Sequence, residues 1–118
     1  MERKYRVYYD EQYDRLMIAG KTEEDVIIGS VRLLNIILDF NSQNKVVNAE
    51  LLRASEYLQS LGLDDNLLKQ ITGGSLSAKQ LRNGYEIVIN LKTKRKALSV
   101  PYNVHLPNQK QIVVTSSR

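Results

Sequence analysis

Residues 9–18 read Tyr9-Asp10-Glu11-Gln12-Tyr13-Asp14-Arg15-Leu16-Met17-Ile18. This is the end of one strand, a tight acidic turn and the start of the next strand. Working back from it, residues 4–9 alternate, with Tyr5, Val7 and Tyr9 on one face and Lys4, Arg6 and Tyr8 on the other. Period two marks a half-buried strand. Asp10 to Gln12 make the turn, because an Asp side chain bonds backbone amides two residues on. Working forward, Leu16 and Ile18 continue the second strand, opposed by Arg15 and Met17, until Gly20-Lys21 ends it.

The rest of the first half continues as strand. Val26-Ile27-Ile28 is a short apolar run, broken by Gly29-Ser30. Residues 33–40 form a strongly apolar run, expected as one strand with Leu34, Ile36, Leu38 and Phe40 on a shared face. Asn41-Ser42-Gln43-Asn44 is a turn cluster, and Val46 onward reads as the returning strand of a hairpin. Helix competes there, since Ala49, Glu50, Leu51 and Leu52 are good helix formers. The preceding turn favours strand to Leu52.

Ser55 is placed as an N-cap with Glu56 beside the positive helix end; Leu58 and Leu61 share a face, and Gly62 stops the helix. Asp64 caps a second short helix through Ile71, carrying Leu67 and Leu68, with Gly73-Gly74 ending it. Ser75 to Leu81 then leads to Asn83-Gly84, a strong hairpin signal because both residues tolerate positive φ. Tyr85, Ile87, Ile89 and Leu91 form one face of the next strand, and Thr93-Lys94-Arg95-Lys96 the next turn. Leu98, Val100, Tyr102, Val104 and Leu106 alternate again. Pro101, on the opposite parity, points to an edge strand or a bulge because it cannot donate to a ladder. Pro107-Asn108-Gln109 turns the chain toward Ile112 and Val114. The expected class is α+β: antiparallel β-hairpins, two short helices in the middle of the chain and a β-rich C-terminal half. One domain over 1–118 is expected, β-rich over 4–53, helical over 55–71 and β-rich over 75–116; two small β lobes sharing the helices is the alternative.

The pattern Tyr9-Asp10, Asp14, Leu16 and Ile18, then Ile37-Leu38-Asp39-Phe40, Val46-Val47 and Glu50-Leu51-Leu52-Arg53-Ala54-Ser55, resembles a family of small prokaryotic proteins catalogued as domain-of-unknown-function family 2283. The resemblance spans about residues 5–61. The chain departs from the family pattern in two places. Arg15-Leu16-Met17-Ile18 stands where Ala-Leu-Tyr-Ile is usual, and Asn41-Ser42-Gln43-Asn44 where the turn usually carries Asp and Gly. The resemblance implies a small antiparallel sheet followed by a helix, and no established activity. Some members look like the antitoxin half of toxin–antitoxin pairs, which implies protein binding for those members.

Composition narrows the chemistry. The chain of 118 residues has no cysteine and a single histidine, His105, so thiolate chemistry and a His-rich zinc site within one subunit are excluded. P-loop, Gly-x-Gly-x-x-Gly and Gly-x-Ser-x-Gly patterns are absent, and Gly73-Gly74-Ser75 is too short for a phosphate cradle. No apolar run reaches the ~18 residues of a bilayer span, so no membrane association is expected. The start leads straight into a strand pattern, without the apolar stretch of a signal peptide, so the expected location is cytoplasmic.

Charge is uneven. Residues 1–63 carry a net −2 and residues 64–118 a net +6. Lys92, Lys94, Arg95 and Lys96 are the densest basic group and the candidate nucleic-acid contacts, with Lys79 and Arg82 expected toward the far end of the same sheet and Lys110 and Arg118 unplaced. Asp10, Glu11 and Asp14 crowd one turn, where turn formation explains them better than metal or acid–base chemistry. Tyr8 and Tyr13 are the candidate partner surface, since tyrosine is enriched at interfaces and Tyr5 and Tyr9 are expected on the core face. The expected function is a small non-enzymatic binding module acting through a protein partner or as a homodimer, antitoxin-like in its most specific form. It has no catalytic or metal residues and no cofactor. The alternative is nucleic-acid binding through the basic C-terminal half.

Overall fold

Alternation along residues 6–19 produces the first hairpin: β1 (Arg6–Asp10) pairs antiparallel with β2 (Arg15–Ala19), Tyr9 opposite Leu16 and Tyr8 opposite Met17. The computed structural model describes residues 3–104 and the backbone of His105; the expected turn at Pro107–Gln109 and the strand at Ile112 and Val114 lie outside the described residues. β3 (Ile27–Leu33), β4 (Ile36–Asn41) and β5 (Val46–Leu52) complete a five-stranded antiparallel sheet of order β1-β2-β5-β4-β3. A short helix α1 (Ala54–Ser60) and a 3₁₀ segment (Asp65–Gln70) follow. β6 (Gly73–Leu81), β7 (Gly84–Lys92) and β8 (Ala97–His105) then form a second, three-stranded antiparallel sheet. The architecture is the expected β-rich α+β class.

Several local expectations needed correction. The apolar run 33–40 is two strands. A two-residue loop, Leu34-Asn35, turns the chain, with Leu34 at φ 56° and Ile36 paired back onto Leu33. Ile36, Leu38 and Phe40 do share the buried face, whereas Leu34 is 75 % exposed. Gly29-Ser30 does not break a strand. It lies inside β3, just after a register shift between Ile27 and Gly29, where glycine suits a bulge. Gly73-Gly74 opens β6 instead of ending the second helix, and that helix is 3₁₀. The β6–β7 loop is Arg82-Asn83, with Gly84 already paired to Leu81. The described strands divide five and three between the two sheets.

Other expectations hold. Asn41 builds its turn by accepting the Gln43 and Lys45 amides on Oδ1, both at 2.9 Å. Residues 46–52 are strand. Gly62, at φ 76°, ends α1: its N–H donates to the Gln59 carbonyl and that of Leu63 to the Leu58 carbonyl, both at 2.9 Å, which is a Schellman closure. Leu58 is buried as expected, while Leu61 stays 40 % exposed. Pro101 sits on β8, an edge strand among the described residues.

The core lies between the sheets. Leu16, Ile18, Ile36, Leu38 and Leu51 from the first sheet and Ile87, Ile89 and Leu91 from β7 join one hydrophobic cluster with Leu58 and Leu68 from the helical segment. The layers meet at Gly74 of β6, where an added Cβ would lie 3.0 Å from Val7 Cγ2 of β1, besides 2.2 Å from the Asn90 carbonyl oxygen of the neighbouring strand β7. At the other side, Tyr102 donates its hydroxyl to the Asn35 side-chain carbonyl, pinning the β3–β4 loop to β8. Tyr57 packs against Tyr102 in a tilted arrangement, 4.9 Å between ring centroids, and donates its hydroxyl to the Pro101 carbonyl.

Candidate functional site

The acidic hairpin is occupied by structural duties. Asp10 Oδ1 accepts the Gln12 and Tyr13 amides at 3.1 and 3.3 Å, as the turn chemistry of Asp predicts. Glu11 pairs with Lys69 at 3.1 Å. Asp14, at φ 54°, accepts the Tyr9 hydroxyl at 2.6 Å, the Ser55 hydroxyl at 2.6 Å and the Ser55 amide at 2.9 Å. Its backbone carbonyl accepts the Ala54 amide at 3.0 Å. Ser55 is therefore not the N-cap it was expected to be. The cap position is Arg53, in a left-handed conformation with no capping side chain, and Asp14 supplies the acceptors from another part of the chain.

Burial works to raise the Asp14 carboxyl, but the bonds from Ser55 and Tyr9 outweigh it and hold the group below its ordinary value. Burial, followed by the bond to Asp14, pushes the Tyr9 phenol well above its usual range. Among the described residues no group of three or more His, Cys, Asp or Glu side chains is arranged to hold a metal ion.

The two tyrosines singled out from the sequence share one surface. β1 and β2 put Tyr8 beside Met17 on the face of the first sheet opposite the core, and Tyr8 and Tyr13 are each 63 % exposed. The row continues across all five strands as Tyr8, Met17, Glu50, Ile37 and Arg32. At about 4.8 Å per strand that row is about 19 Å long. Arg15, two residues before Met17 and on the same face, holds its guanidinium 5.7 Å from the Tyr13 ring centroid and pairs with Glu50 at 3.3 Å. Tyr13, Arg15, Met17 and Tyr8 therefore form a continuous patch with apolar rings and a flexible thioether at its centre. Met17 and Arg15 were not named as surface candidates from the sequence. Their signal was present, since both fall on the parity opposite to Leu16 and Ile18.

Lys92, Lys94, Arg95 and Lys96 are all exposed at the β7–β8 turn, and none joins the ion pairs found among the described residues. Thr93 builds that turn, its Oγ1 accepting the Arg95 and Lys96 amides. Lys94 and Arg95 border a depression of about 360 Å³ with Gln70, Thr72 and Thr93. Arg82 sits in the loop at the opposite end of β7, as expected, so the basic residues of the second sheet do not form one patch. Tyr85 and Tyr102 are buried, so neither is offered for base stacking. His105 ends β8 opposite Gly84.

No curated protein matches this chain, and no solved structure matches it. The residues that carried the family resemblance do converge: Tyr9, Asp14 and Ser55 meet in one hydrogen-bonded group where the first hairpin meets α1. Residues 6–55, which run from the start of β1 into the first turn of α1, match the family described as "Protein of unknown function (DUF2283)".

Proposed function

We propose that this protein is a non-enzymatic binding module that acts through a protein partner, seated on the outer face of the five-stranded sheet. The observation that carries this reading is the exposed Tyr8–Met17 cross-strand pair, continued through Arg15 to Tyr13. Tyrosine and arginine are enriched at interfaces, and methionine adapts to irregular partner surfaces. The non-enzymatic part is supported by the first hairpin, whose Asp10, Glu11 and Asp14 are committed to turn, ion pair and helix start. An antitoxin-like role is its most specific form and draws only on the family resemblance; a small toxin-like protein encoded beside this chain supports it.

The test compares wild type with Tyr8→Ala/Met17→Ala, both side chains being exposed, and with Lys79→Ala as a control on the other sheet. A single protein held by wild type and by the control, but released by the double variant, supports the reading. Sedimentation of the pure protein separates a foreign partner from a second copy of this chain. A protein that captures nothing and sediments as a monomer, or whose capture ignores the double variant, sinks it.

A second reading, nucleic-acid binding, is favoured by the four exposed cations at the β7–β8 turn, none of which joins an ion pair among the described residues. It requires retention of DNA or RNA at low salt, a steep loss of affinity as salt rises, and weakening by Lys94→Ala, Arg95→Ala and Lys96→Ala. No retention at low salt rules it out.

A further inference from the structure

β1 closes the five-stranded sheet at one end, and among the described residues no strand pairs with its outer edge. The ladder decides which backbone groups that edge presents. The Gly20 amide donates to the Val47 carbonyl at 2.8 Å, in register with the β2–β5 pairing. Hydrogen-bonded and non-hydrogen-bonded pairs alternate along antiparallel strands. β2 therefore turns the backbone of Leu16 and Ile18 toward β5 and that of Arg15, Met17 and Ala19 toward β1. Arg6, Tyr8 and Asp10 answer from β1. The N–H and C=O groups of Val7 and Tyr9 are left pointing away from the sheet.

An open edge is a template for another strand. Two of the three other end strands are guarded against this. β3 is bent by the register shift between Ile27 and Gly29, and β8 carries Pro101, whose carbonyl already takes the Tyr57 hydroxyl. β1 has neither proline nor bulge. Beside it lies a depression of about 270 Å³, lined by Val7, Tyr8 and Tyr9 together with Leu68 and Ile71 from the chain after α1.

The sequence of β1 is complementary to itself. Let two copies pair antiparallel about a two-fold axis at Tyr8. Val7 of each copy then meets Tyr9 of the other, and every outward backbone group of β1 is used. Tyr8 faces Tyr8, and Arg6 falls opposite Asp10 of the second copy at both ends. These side chains lie on the outer sheet face, at non-hydrogen-bonded positions where opposed side chains come closest. Opposite charges and aromatic pairs placed directly across two strands stabilise the pairing. Arg6 joins none of the ion pairs among the described residues, and Asp10 uses Oδ1 for its own turn, which leaves Oδ2 for the second copy. A shift of two residues in either direction puts Arg6 or Asp10 opposite tyrosine and leaves one end of β1 unpaired.

We infer that two copies of this chain join edge to edge through β1, centred on Tyr8, so that their five-stranded sheets become one continuous sheet. This goes beyond the outer-face reading, because the seam is a strand edge. It also merges Met17 and Tyr8 of both copies into one band across that face.

Five residues from each copy make a small seam, in the class of weak and transient interfaces. Sedimentation equilibrium of the wild type should move from monomer toward dimer mass as loading rises from about 5 to about 500 μM. Arg6→Asp, at an exposed position, places like charges opposite each other twice and should raise the dissociation constant by about tenfold. The chain has no cysteine, so single cysteines report the register. Residues opposed at a non-hydrogen-bonded position lie about 4.5 Å apart at Cα, within disulfide reach. Tyr8→Cys should therefore form a disulfide-linked dimer in oxidised glutathione. Met17→Cys should not, because the two copies of Met17 lie three strand spacings apart, about 14 Å. Monomer mass at every loading, wild-type association in Arg6→Asp, no cross-link in Tyr8→Cys, or equal cross-linking of both cysteine variants overturns the pairing. A monomer that still holds a foreign protein on its outer face overturns the pairing and leaves the protein-partner reading intact.

Discussion

Asp14 closes the first turn of a helix that begins forty residues further along the chain: its Oδ2 accepts the Ser55 hydroxyl at 2.6 Å and its Oδ1 the Ser55 amide at 2.9 Å. A cap normally comes from the residue just before the helix. Here Arg53 occupies that position at φ 52° without capping, and the β1–β2 turn takes over the task. The same carboxylate holds Tyr9 at 2.6 Å, so one side chain joins strand, turn and helix. Ser55→Ala should cost about 1–2 kcal/mol, the range for a hydrogen bond to a charged acceptor whose partner is lost. Asp14→Asn should cost a similar amount while tolerating the positive φ. Because the two side chains touch, the double variant should cost less than the sum, with a coupling of about 1 kcal/mol in denaturant unfolding. Additive losses would mean that the contact does not carry the effect.

Acid should destabilise the fold in a defined window. Bonds from Ser55 and Tyr9 hold Asp14 below its ordinary value against burial, and Arg3, followed by the Thr22 amide and Asn41, does the same for Asp25. Their folded-state values lie below the unfolded ones, so the unfolded chain binds more protons in acid. Their stabilisation is complete above about pH 4, near the unfolded carboxyl value, and declines as pH falls through the folded values. Urea midpoints measured between pH 7 and pH 2 should fall below pH 4, and more shallowly for Asp14→Asn and Asp25→Asn.

Alkali should act on a different set of groups. Burial raises Tyr5, Tyr9, Tyr57, Tyr85 and Tyr102, with the Asp14 bond adding to the effect at Tyr9. A phenol whose folded value exceeds the unfolded one contributes stability below about pH 10 and loses it as pH rises through the folded value. Absorbance titration at the phenolate band should therefore show a late group of tyrosines that ionises together with loss of the circular dichroism signal. Complete ionisation near pH 10 with the fold intact would contradict the packing described for them.

Neighbouring glycines should respond differently to the same change. A Cβ at Gly74 would meet the Asn90 carbonyl oxygen of the neighbouring strand β7 at 2.2 Å and Val7 Cγ2 of β1 at 3.0 Å. A Cβ at Gly73 meets nothing within 4 Å. Gly74→Ala should cost about 1–3 kcal/mol, as overpacking does, while Gly73→Ala should change stability by less than about 0.5 kcal/mol. Equal effects would show that Gly74 is not crowded as described.

The second sheet was the more legible half. Tyr85, Ile87, Ile89 and Leu91 alternate without interruption, and all four are buried on one face. The first sheet hid three features. Ser55 has the composition of an N-cap, and only the fold shows that its hydroxyl turns to Asp14. Gly29-Ser30 has the composition of a break, yet Ser30 is buried and donates to Asp39 Oδ1 at 2.5 Å across to β4. Leu34-Asn35 offers one weak turn residue inside an apolar run, so parity carried the reading straight through the hairpin.

That hidden turn yields the last prediction. Leu34 adopts φ 56° with its side chain 75 % exposed, so it carries the backbone cost of a left-handed conformation and recovers little by burial. A left-handed L-residue costs about 1–2 kcal/mol, and asparagine is among the side chains that reduce the penalty. Leu34→Asn should therefore stabilise the protein by about 0.5 kcal/mol in chemical unfolding. Leu34→Val, β-branched and poorly suited to positive φ, should move it the opposite way. The neighbouring anchor makes the comparison specific. Asn35 accepts the Tyr102 hydroxyl and donates through Nδ2 to the Leu52 carbonyl at 2.8 Å, so the loop cannot relax by shifting its turn along the chain. A loss of stability in Leu34→Asn would mean that the leucine side chain is covered in solution, and the β3–β4 turn would then join the surfaces to be searched for a partner.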